Sequence, residues 1–430
     1  MTVSTLGSAP ASGMRDFLPS EVALRDWAAS VILATYKNFG FTRIETPALE
    51  HIHLLRRGEG GENLQLIFEV LKRGEKLERE LSNETINRNE LADLGLRFDL
   101  TVPLVRFYAH NQGALPTPLK SIQLGPVWRA ESPQQGRYRQ FIQCDIDVIG
   151  VKSEIAEMEL IQATAAALLA LGFQDFTVRI NDRRILTELA EFCEFSEDRF
   201  EHVFIALDKL DKIGLEGVRK ELKSVAHSGE ATDKLIAILE TVMAEDDLDR
   251  AFHALPQTIL PEVFSSLRKV IESVKRISGS AYGIKFDPTL VRGMGYYTGQ
   301  IFEISNPGYN YSIAGGGRYD KMVGKFSGRD TPACGFSIGF ERIISILADK
   351  GFKPPISERK IALICEPDRD SLPEVLAKAA ELRGDGAVVS VLPRKKDMKK
   401  QLDALVAQEF THYCAFRPDN IDVKALQSAK

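Results

Sequence analysis

The alternation of hydrophobic and polar positions predicts a helix near the start of the chain, followed by an extended segment. Between Ser20 and Gly40 apolar residues recur at helical spacing, with Ser20 suited to cap the helix and the glycine suited to end it. Residues 41–49 are extended in character but contain Pro47, which cannot donate a hydrogen bond to a sheet. We therefore predict that this strand ends, bends, or lies at an edge or interface.

Strand-like texture dominates from residue 96 to residue 150. Two strands are predicted at 121–127 and 141–148, joined by an arginine-rich loop. Ser153 then caps an apolar helix that is predicted to end near Gly172. This part of the chain is therefore predicted to carry a hairpin backed by a helix.

The next segment, 196–275, is different, because it is strongly charged and helical with few strand signals, which predicts a helical insertion. Strand texture returns at 284–291, 300–304 and 311–314, and a glycine-led strand runs into a helix over 335–347.

A proline-containing linker at 353–355 precedes a small unit in which strands and helices alternate. Its predicted elements are a strand at 360–365, a helix at 372–382, a strand at 387–392 and a helix at 398–406. Since 430 residues exceed one compact core, we predict several domains. The predicted boundaries are 1–195 and 276–350 for two parts of one core, 196–275 for the helical insertion, and 358–430 for the α/β unit.

Composition narrows the class of protein only modestly. A content of 44% hydrophobic and 27% charged residues is ordinary for a globular chain, and a net charge of -5 excludes a globally basic nucleic-acid coat but not a local basic cleft. The five cysteines are an odd, scattered set, which predicts reduced thiols, no zinc site and a cytoplasmic location. We predict no membrane span, and residues 1–12 are interpreted as a loose leader.

The most informative chemistry lies in the hairpin between the two strands. Arginine forks suit phosphate oxygens, an aromatic face can stack on a nucleobase, and a glutamate can accept from an exocyclic amine. From spacing alone, a solvated charged hairpin is an open alternative. The residues concerned are Arg129, Glu131, Arg137, Arg139 and Phe141.

Immediately afterwards Gln143, Asp145 and Asp147 alternate along the second strand, so their side chains share one face. Acids grouped beside an arginine loop favour a site for a cationic, polar ligand over a core.

Two further stretches combine arginine with glycine and tyrosine. Arg292 is followed by Gly293, Gly295, Tyr296 and Tyr297, and three glycines precede the arginine in the run 314–320. Close approach of the backbone to a ligand is one interpretation, and a glycine-rich turn is the other. In a third stretch, 333–343, Arg342 stands where a strand of small residues enters a helix, within reach of a phosphate or of a local partner.

His51 and His53 share one strand face as metal ligands can, but no third ligand is near, so no metal site is predicted. The basic run 394–400 is a solvated face or a phosphate contact.

Together these stretches resemble the histidyl-tRNA synthetases, a family of class II aminoacyl-tRNA synthetases. The resemblance spans about residue 13 to residue 347. It rests on the opening 14–19, the Pro47 segment (similar to motif 1), 96–103, the Arg129 hairpin (motif 2), the Arg342 segment (motif 3), and two histidine-specific signatures around Arg292 and Arg318.

This resemblance implies an α+β fold with an antiparallel β-sheet core flanked by helices, a helical insertion and a small C-terminal α/β domain like an anticodon-binding domain, which we expect to be shortened. It also implies ATP with Mg²⁺ as co-substrate, histidine and histidine-specific tRNA as partners, and a homodimer formed through motif 1. The implied reaction is activation of histidine as histidyl-adenylate and its transfer to the 3' end of the tRNA.

The resemblance assigns roles residue by residue. Catalysis falls to Arg129 and Arg292. The implied ATP contacts are Arg129, Glu131, Arg137, Arg139, Phe141 and Arg342, and the implied histidine contacts are Asp99, Thr101, Gln143, Asp147, Arg292, Tyr296, Tyr297 and Tyr319. Arg292 is expected to meet the histidine carboxylate and the α-phosphate.

Gly295 departs from the family pattern, where a polar or acidic residue is more common. Two alternatives stay open at this point. One is a histidine-sensing regulatory subunit of ATP phosphoribosyltransferase, and the other is a paralogue that passes histidine from its adenylate to an acceptor other than tRNA.

Overall fold

A computed structural model describes residues 7–58, 65–132, 138–226, 229–292, 295–355, 359–417 and 422–426. The chain divides into two compact units, Met1–Phe352 and Lys353–Lys430. Each unit is described separately below.

The described helices of the first unit are α1 (Pro19–Asn38), α2 (Ile52–Gly58), α3 (Glu75–Leu81), α4 (Thr101–Asn111), α5 (Ile155–Ala170), α6 (Arg183–Phe192), α7 (Phe200–Asp208), α8 (Leu210–Ala226), α9 (Gly229–Met243), α10 (Leu248–Ala254), α11 (Pro261–Ser278), α12 (Asp320–Ser327) and α13 (Phe340–Asp349). Its described strands are β1 (Thr42–Arg43), β2 (Leu49–His51), β3 (Glu69–Leu71), β4 (Ala92–Leu96), β5 (Leu119–Trp128), β6 (Gln140–Ile149), β7 (Thr177–Asp182), β8 (Gly283–Phe286), β9 (Gln300–Ser305), β10 (Ser312–Arg318) and β11 (Ala333–Ile338).

Within the described ranges, eight of these strands form one sheet in the order β1-β5-β6-β11-β10-β9-β7-β8. All neighbours pair antiparallel except β1 with β5 and β7 with β8. A second sheet, β2-β4-β3, is antiparallel. The predicted antiparallel core flanked by helices is confirmed.

One face of the large sheet is covered by α1 and α5. Tyr36 of α1 and Leu160 of α5 are fully buried against Ile122 of β5 and Ile146 of β6. Burial of each such side chain contributes roughly 1.5–3 kcal/mol to folding, so this layer holds the sheet in place. On β6 the residues that alternate with this apolar set face the other side.

The first helix begins one residue earlier than Ser20. Proline at the first helical position has the required φ and needs no hydrogen-bond donor there, so the helix starts at Pro19. The cap does not use a side chain before the helix. Instead, the Glu21 carboxylate in the first turn accepts from the Leu18 N–H at 2.9 Å. The cap predicted at Ser20 is therefore wrong, because Ser20 lies inside the first turn.

Helix α4 was not expected, because residues 96–150 were interpreted as strand-like. Val102, Leu104, Val105 and Tyr108 are buried along it. Pro103 is tolerated because it lies in the first turn, where backbone N–H groups have no helical partner. The Asp99 carboxylate accepts from the Val102 N–H at 3.1 Å, which closes that turn.

The strand predicted at 284–291 is shorter than expected, because β8 ends at Phe286. Asp287 accepts from both the N–H and the hydroxyl of Thr289, at 3.0 and 2.7 Å. Such an aspartate-centred turn offers the backbone an alternative to the sheet ladder, and it redirects the chain toward Arg292. Between Glu197 and Ser278 the described elements are helical, in agreement with the predicted texture.

The second unit contains the four predicted elements at nearly the predicted positions. They are β12 (Lys360–Cys365), α14 (Leu372–Gly384), β13 (Val388–Pro393) and α15 (Met398–Ala407). Two short strands were not predicted, β14 (His412–Ala415) and β15 (Lys424–Ala425). The sheet order is β13-β12-β14-β15, with β12 parallel to both of its neighbours, and such short edge strands carry too little periodicity to be found from sequence.

None of the helices in the described ranges combines the length and apolar character needed to cross a bilayer. The five cysteines are buried free thiols.

The backbone of β10 passes so close to that of β11 that a side chain at Gly316 has no space. A Cβ there would collide with the Gly335 carbonyl and with Phe336 Cα at 2.8 Å, and both are backbone atoms that cannot rotate away. We expect Gly316→Ala to lower the free energy of unfolding by about 1–3 kcal/mol or more, measured by denaturant titration. The control is Gly113→Ala, where the space is open; equal stability of the two variants would contradict the packing argument.

Candidate active site

A cavity of about 410 Å³ lies on the face of the large sheet that is not covered by α1 and α5. Its floor is built from β6, β11 and β10, whose register brings Asp145 opposite Ser337 and Ser337 opposite Gly315. The predicted site residues that line it are Asp99, Thr101, Arg129, Glu131, Phe141, Gln143, Asp147, Arg292, Tyr296, Tyr297, Tyr319 and Arg342. Residues as far apart in the sequence as Asp99 and Arg342 therefore meet here.

One wall of the cavity consists of hydrogen-bond acceptors. Asp99 Oδ2, Gln143 Oε1, Asp145 Oδ1 and Asp147 Oδ2 are buried without a partner among the described residues. A buried acceptor left unsatisfied costs roughly 1–3 kcal/mol, and more if it is charged. Four such atoms in one cavity indicate a site for a ligand that brings N–H donors and positive charge.

Tyrosine rings enclose this acceptor wall. The Tyr319 hydroxyl donates to Asp147 Oδ1 at 2.6 Å, which leaves the other carboxylate oxygen for a ligand. The Tyr296 ring packs edge-on against Tyr319 and tilted against Tyr297, with centroids 6.0 and 4.9 Å apart. The wall is thus shaped for a small ring-bearing ligand with polar edges.

Burial shifts the acidity of all three aspartates. It raises the pKa of Asp99 to about 6, against the opposing effects of the Val102 N–H and the Arg129 charge. It raises the pKa of Asp147 to about 7, although the Tyr319 hydroxyl lowers it. The pKa of Asp145 is raised well above its usual range by burial and by the nearby charge of Asp147. Such shifts are typical of functional sites.

A second wall carries Arg129 and the aromatic ring beside it. The guanidinium lies 5.1 Å from the centroid of the Phe141 ring, and its Nε donates to the Phe98 carbonyl at 3.1 Å. Val127 and Phe141 are paired in register, so the hairpin strands hold the arginine and the ring on one side. This arrangement can accept a phosphate next to a stacked base.

Arg292 lies over a strand that has no side chain at the point of contact. A Cβ at Gly315 would clash with its guanidinium, so the glycine provides the space that the cation occupies. Arg292 Nη1 donates to Glu303 Oε2 at 3.2 Å. The guanidinium is therefore anchored on one side and borders the cavity on the other.

Arg342 is held by β10, because its Nη1 donates to the Ser312 carbonyl at 2.5 Å. The carboxylate of its neighbour Glu341 forms an ion pair with Arg25, with two N–O distances of 2.6 and 2.8 Å. It also accepts from the Ile142 N–H at 3.1 Å. Glu341 therefore fixes the start of α13, and with it the direction of Arg342.

Three predicted or singled-out arginines are arranged differently. Arg139 does not line the cavity, and its Nε donates to the Glu131 carbonyl at 3.0 Å, so it shapes the hairpin. Arg137 lies outside the described residues. Arg318 is buried in ion pairs with Glu157 at 2.6 Å and Asp320 at 3.2 Å, and it stabilises the fold.

Two acidic residues belong to the site although no role was assigned to them from the sequence. Asp145 lines the cavity, and its alternation with Gln143 and Asp147 was a sufficient signal. Glu303 reaches Arg292 from β9, and no local pattern could have indicated that pairing. The rings of His51 and His53 stack at 5.5 Å, and in the described ranges no group of three or more potential ligands is placed to hold a metal ion.

Comparison with known proteins identifies relatives of this chain. A family model described as histidyl-tRNA synthetase matches residues 13–343. The histidine–tRNA ligase of Leifsonia xyli subsp. xyli is 43% identical over 97% of this chain and 98% of its own length.

Solved structures agree with that assignment of the fold. The crystal structure of histidyl-tRNA synthetase from Nostoc sp. PCC 7120 is similar with a TM-score of 0.78 and 28% identity, covering 99% of this chain and 96% of its own. An ATP phosphoribosyltransferase regulatory subunit/histidyl-tRNA synthetase from Bacillus halodurans has a TM-score of 0.74 at 23% identity, covering 96% of this chain and 100% of its own, and shares the fold.

The raised pKa of Asp147 makes the stability of the protein pH-dependent. In the unfolded chain an aspartate loses its proton near pH 4, whereas in the folded protein Asp147 keeps it up to about pH 7. The folded state therefore binds more protons in this window, and the free energy of unfolding should fall as pH rises from 4 to 7, by at most about 1.4 kcal/mol per pH unit for one group.

Asp147→Asn should make this fall shallower in urea titrations between pH 4 and pH 8, because asparagine has no carboxyl group to titrate. The variant should still fold, since the asparagine oxygen can accept from Tyr319. The exposed Asp385→Asn serves as control and should keep the original slope. An unchanged slope in Asp147→Asn would refute the assignment.

Proposed function

The chain belongs to the histidyl-tRNA synthetase family, and from that premise we propose that it is a histidine–tRNA ligase. It activates histidine with ATP to histidyl-adenylate and then transfers the histidyl group to the 3' end of histidine-specific tRNA. The observation that carries the proposal is one cavity with a wall of unpartnered acceptors next to a wall of arginines.

The acceptor wall suits histidine. Asp99, Thr101 and Gln143 receive the α-ammonium group, and Asp147 with the surrounding tyrosines receives the imidazole. The unpartnered oxygens on Asp99, Gln143 and Asp147 support this assignment, because the ammonium and the imidazole supply the missing N–H donors. Asp145 adds a third carboxylate under the same ligand.

The wall of arginines suits ATP and the negative charge that develops on its phosphate oxygens during the reaction. Arg129 and Arg342 hold the phosphates, while Phe141 and Glu131 hold the adenine. Arg292 contacts the histidine carboxylate and the α-phosphate, where the two substrates meet. Arg137 and Arg139 assist at the nucleotide, Arg139 by holding the hairpin backbone.

In the first step a carboxylate oxygen of histidine attacks the α-phosphorus in line, and the bond to pyrophosphate breaks. In the second step the terminal ribose hydroxyl of the tRNA attacks the carbonyl carbon, and AMP leaves. Negative charge develops on phosphate oxygens in the first step and on the leaving AMP in the second, so fixed cations and correct placement supply most of the catalysis.

Mg²⁺ enters as part of the ATP substrate. Glu341, the carboxylate next to Arg342, lines the cavity and is engaged by Arg25 and by the Ile142 N–H. The ion is carried by the ATP phosphates, and Arg292 supplies the fixed positive charge at the α-phosphate.

The remaining assignments concern partners and location. The second unit, with its parallel β13-β12-β14 strands, is the candidate for anticodon contacts. The enzyme acts in the cytoplasm, a placement supported by its five free thiols. A histidine sensor is not favoured, because a sensor has no need for the arginines of the ATP wall.

Exchange of label between pyrophosphate and ATP tests the first step. Histidine should be required for exchange, and absence of exchange at saturating substrates would refute the enzymatic proposal. Charging of histidine-specific tRNA by the purified protein then tests the second step and excludes a paralogue with another acceptor.

Two variants should separate the two walls. Asp99→Asn should raise the KM for histidine about 10- to 100-fold, because it removes a charged acceptor, and should leave the KM for ATP nearly unchanged. Arg342→Lys should do the reverse, since lysine loses the bidentate fork. Each variant is the control for the other. If each variant raised the KM for histidine and the KM for ATP equally, the two walls would not bind separate substrates.

We also expect a homodimer. Leu49 and Leu71, on β2 and β3, are 44% and 54% exposed, and these apolar side chains beside the motif 1 segment support a subunit interface there. Sedimentation at micromolar concentration should give twice the chain mass, and Leu71→Lys should weaken the dimer; a monomer would refute the expectation.

A further inference from the structure

Charged side chains form a row across the sheet that ends at Arg292. Arg179 of β7 is opposite Glu303 of β9, and Glu303 is opposite Gly315 of β10, so all three lie on one face of the sheet. The Arg292 guanidinium occupies the space over Gly315. The row therefore alternates in charge, from Arg179 through Glu303 to Arg292.

Glu303 is shared between the two arginines. Its Oε2 is 3.2 Å from Arg292 Nη1, and its Oε1 is 3.6 Å from Arg179 Nη1. The Glu303 side chain is only 15% exposed, so water screens these interactions weakly. A carboxylate held from both sides cannot turn away from Arg292 without losing its other partner.

Arg179 also holds the segment that leads to Arg292. Its Nε donates to Asp287 Oδ2 at 2.6 Å, and Asp287 closes the turn through Thr289. Two residues further along β7, the Asn181 amide donates to the carbonyls of Pro288 and Leu290, at 3.2 and 3.1 Å. Arg179 thus restrains Arg292 in two ways. It holds Glu303, the carboxylate partner of Arg292, and it holds Asp287 in the backbone segment that leads to Arg292.

The last contact of Arg179 comes from the helical segment. Asp211 lies in the short turn 210–213 at the start of α8, before a break in the helix at Gly214; it accepts from Arg179 Nη1 at 2.6 Å and is itself 61% exposed. A displacement of this turn would therefore remove one of the three carboxylates around Arg179.

We propose that Asp211, Arg179 and Glu303 form a relay of positioning residues that fixes the Arg292 guanidinium, and that the relay makes adenylate formation depend on the placement of the turn 210–213 that carries Asp211. The inference rests on the proposed role of Arg292 in catalysis. Only an arginine fits at position 179, because one guanidinium contacts three carboxylates in different directions and a lysine ammonium cannot span them.

Side-chain NMR of ¹⁵N-arginine-labelled protein tests the relay without relying on activity. The Nε–H signal of Arg292 is identified by its loss in Arg292→Lys. It should shift in Arg179→Lys, Glu303→Gln and Asp211→Asn. The control is Asp233→Asn, which breaks the Arg219 pair in the same helical segment, at 2.6 Å, and should leave the signal in place.

Kinetics provide the second readout. Glu303→Gln and Arg179→Lys should lower kcat of histidine-dependent exchange by about 10- to 100-fold, the loss expected from a misplaced catalytic group. Asp211→Asn should lower it by about threefold to fivefold, as one exposed ion pair allows. Because a general loss of folding also lowers apparent kcat without changing KM, kcat is expressed per active site, counted by titration of histidyl-adenylate formation.

The relay is refuted if the Arg292 signal in Arg179→Lys and Glu303→Gln coincides with that of the unaltered protein, or if Asp211→Asn behaves like Asp233→Asn. Absence of exchange in the unaltered protein would refute the proposed function instead, and the NMR result would still decide on the relay.

Discussion

The site depends on the close packing of β10 against β11 at positions that have no side chain. Gly315 leaves space for the Arg292 guanidinium, Gly335 leaves space for the Asp147 carboxylate, and Gly316 allows the two backbones to touch. Because opposite charges lie directly on bare backbone, Arg292 from the segment before β9 and Asp147 from β6 approach one cavity without filling it. Larger residues at these points would push the charges into the space that the ligand needs.

Placing several carboxylates in that cavity costs free energy, and the cost is visible in the raised pKa values of Asp99 and Asp147. The surrounding structure compensates only in part, with the Tyr319 hydroxyl and a helix N–H group. The remaining acceptors are left for a ligand, so binding of a cationic amine or imidazole relieves a penalty that folding has left in place. The arginines border the same cavity from other elements: Arg129 follows β5, Arg292 lies between β8 and β9, and Arg342 is in α13.

The two units differ in how much of their structure the local pattern contained. In the C-terminal unit the strand β12 and the helix α14 begin at the predicted residues, since each has its own clear periodicity and short loops. In the first unit α4 was missed, because its apolar residues sit among strand-like neighbours and it begins with a proline in its first turn. The turn at Asp287 was missed for a related reason, since a side chain there competes with the sheet for the backbone.

The sequence by itself determined the family and, through that resemblance, the antiparallel core, because the order and spacing of the motifs are local properties of the chain; the alternation on β6 likewise indicated its acidic face. Only the tertiary structure decided which charges are partners. Glu303 meets Arg292, Glu341 is taken by Arg25, and Arg318 turns away from the cavity toward Glu157. The physical reason is that these partners, which lie 11, 316 and 161 positions apart, are selected by strand register at β9 and by the packing of helices α1, α5 and α13, and no local pattern encodes that packing.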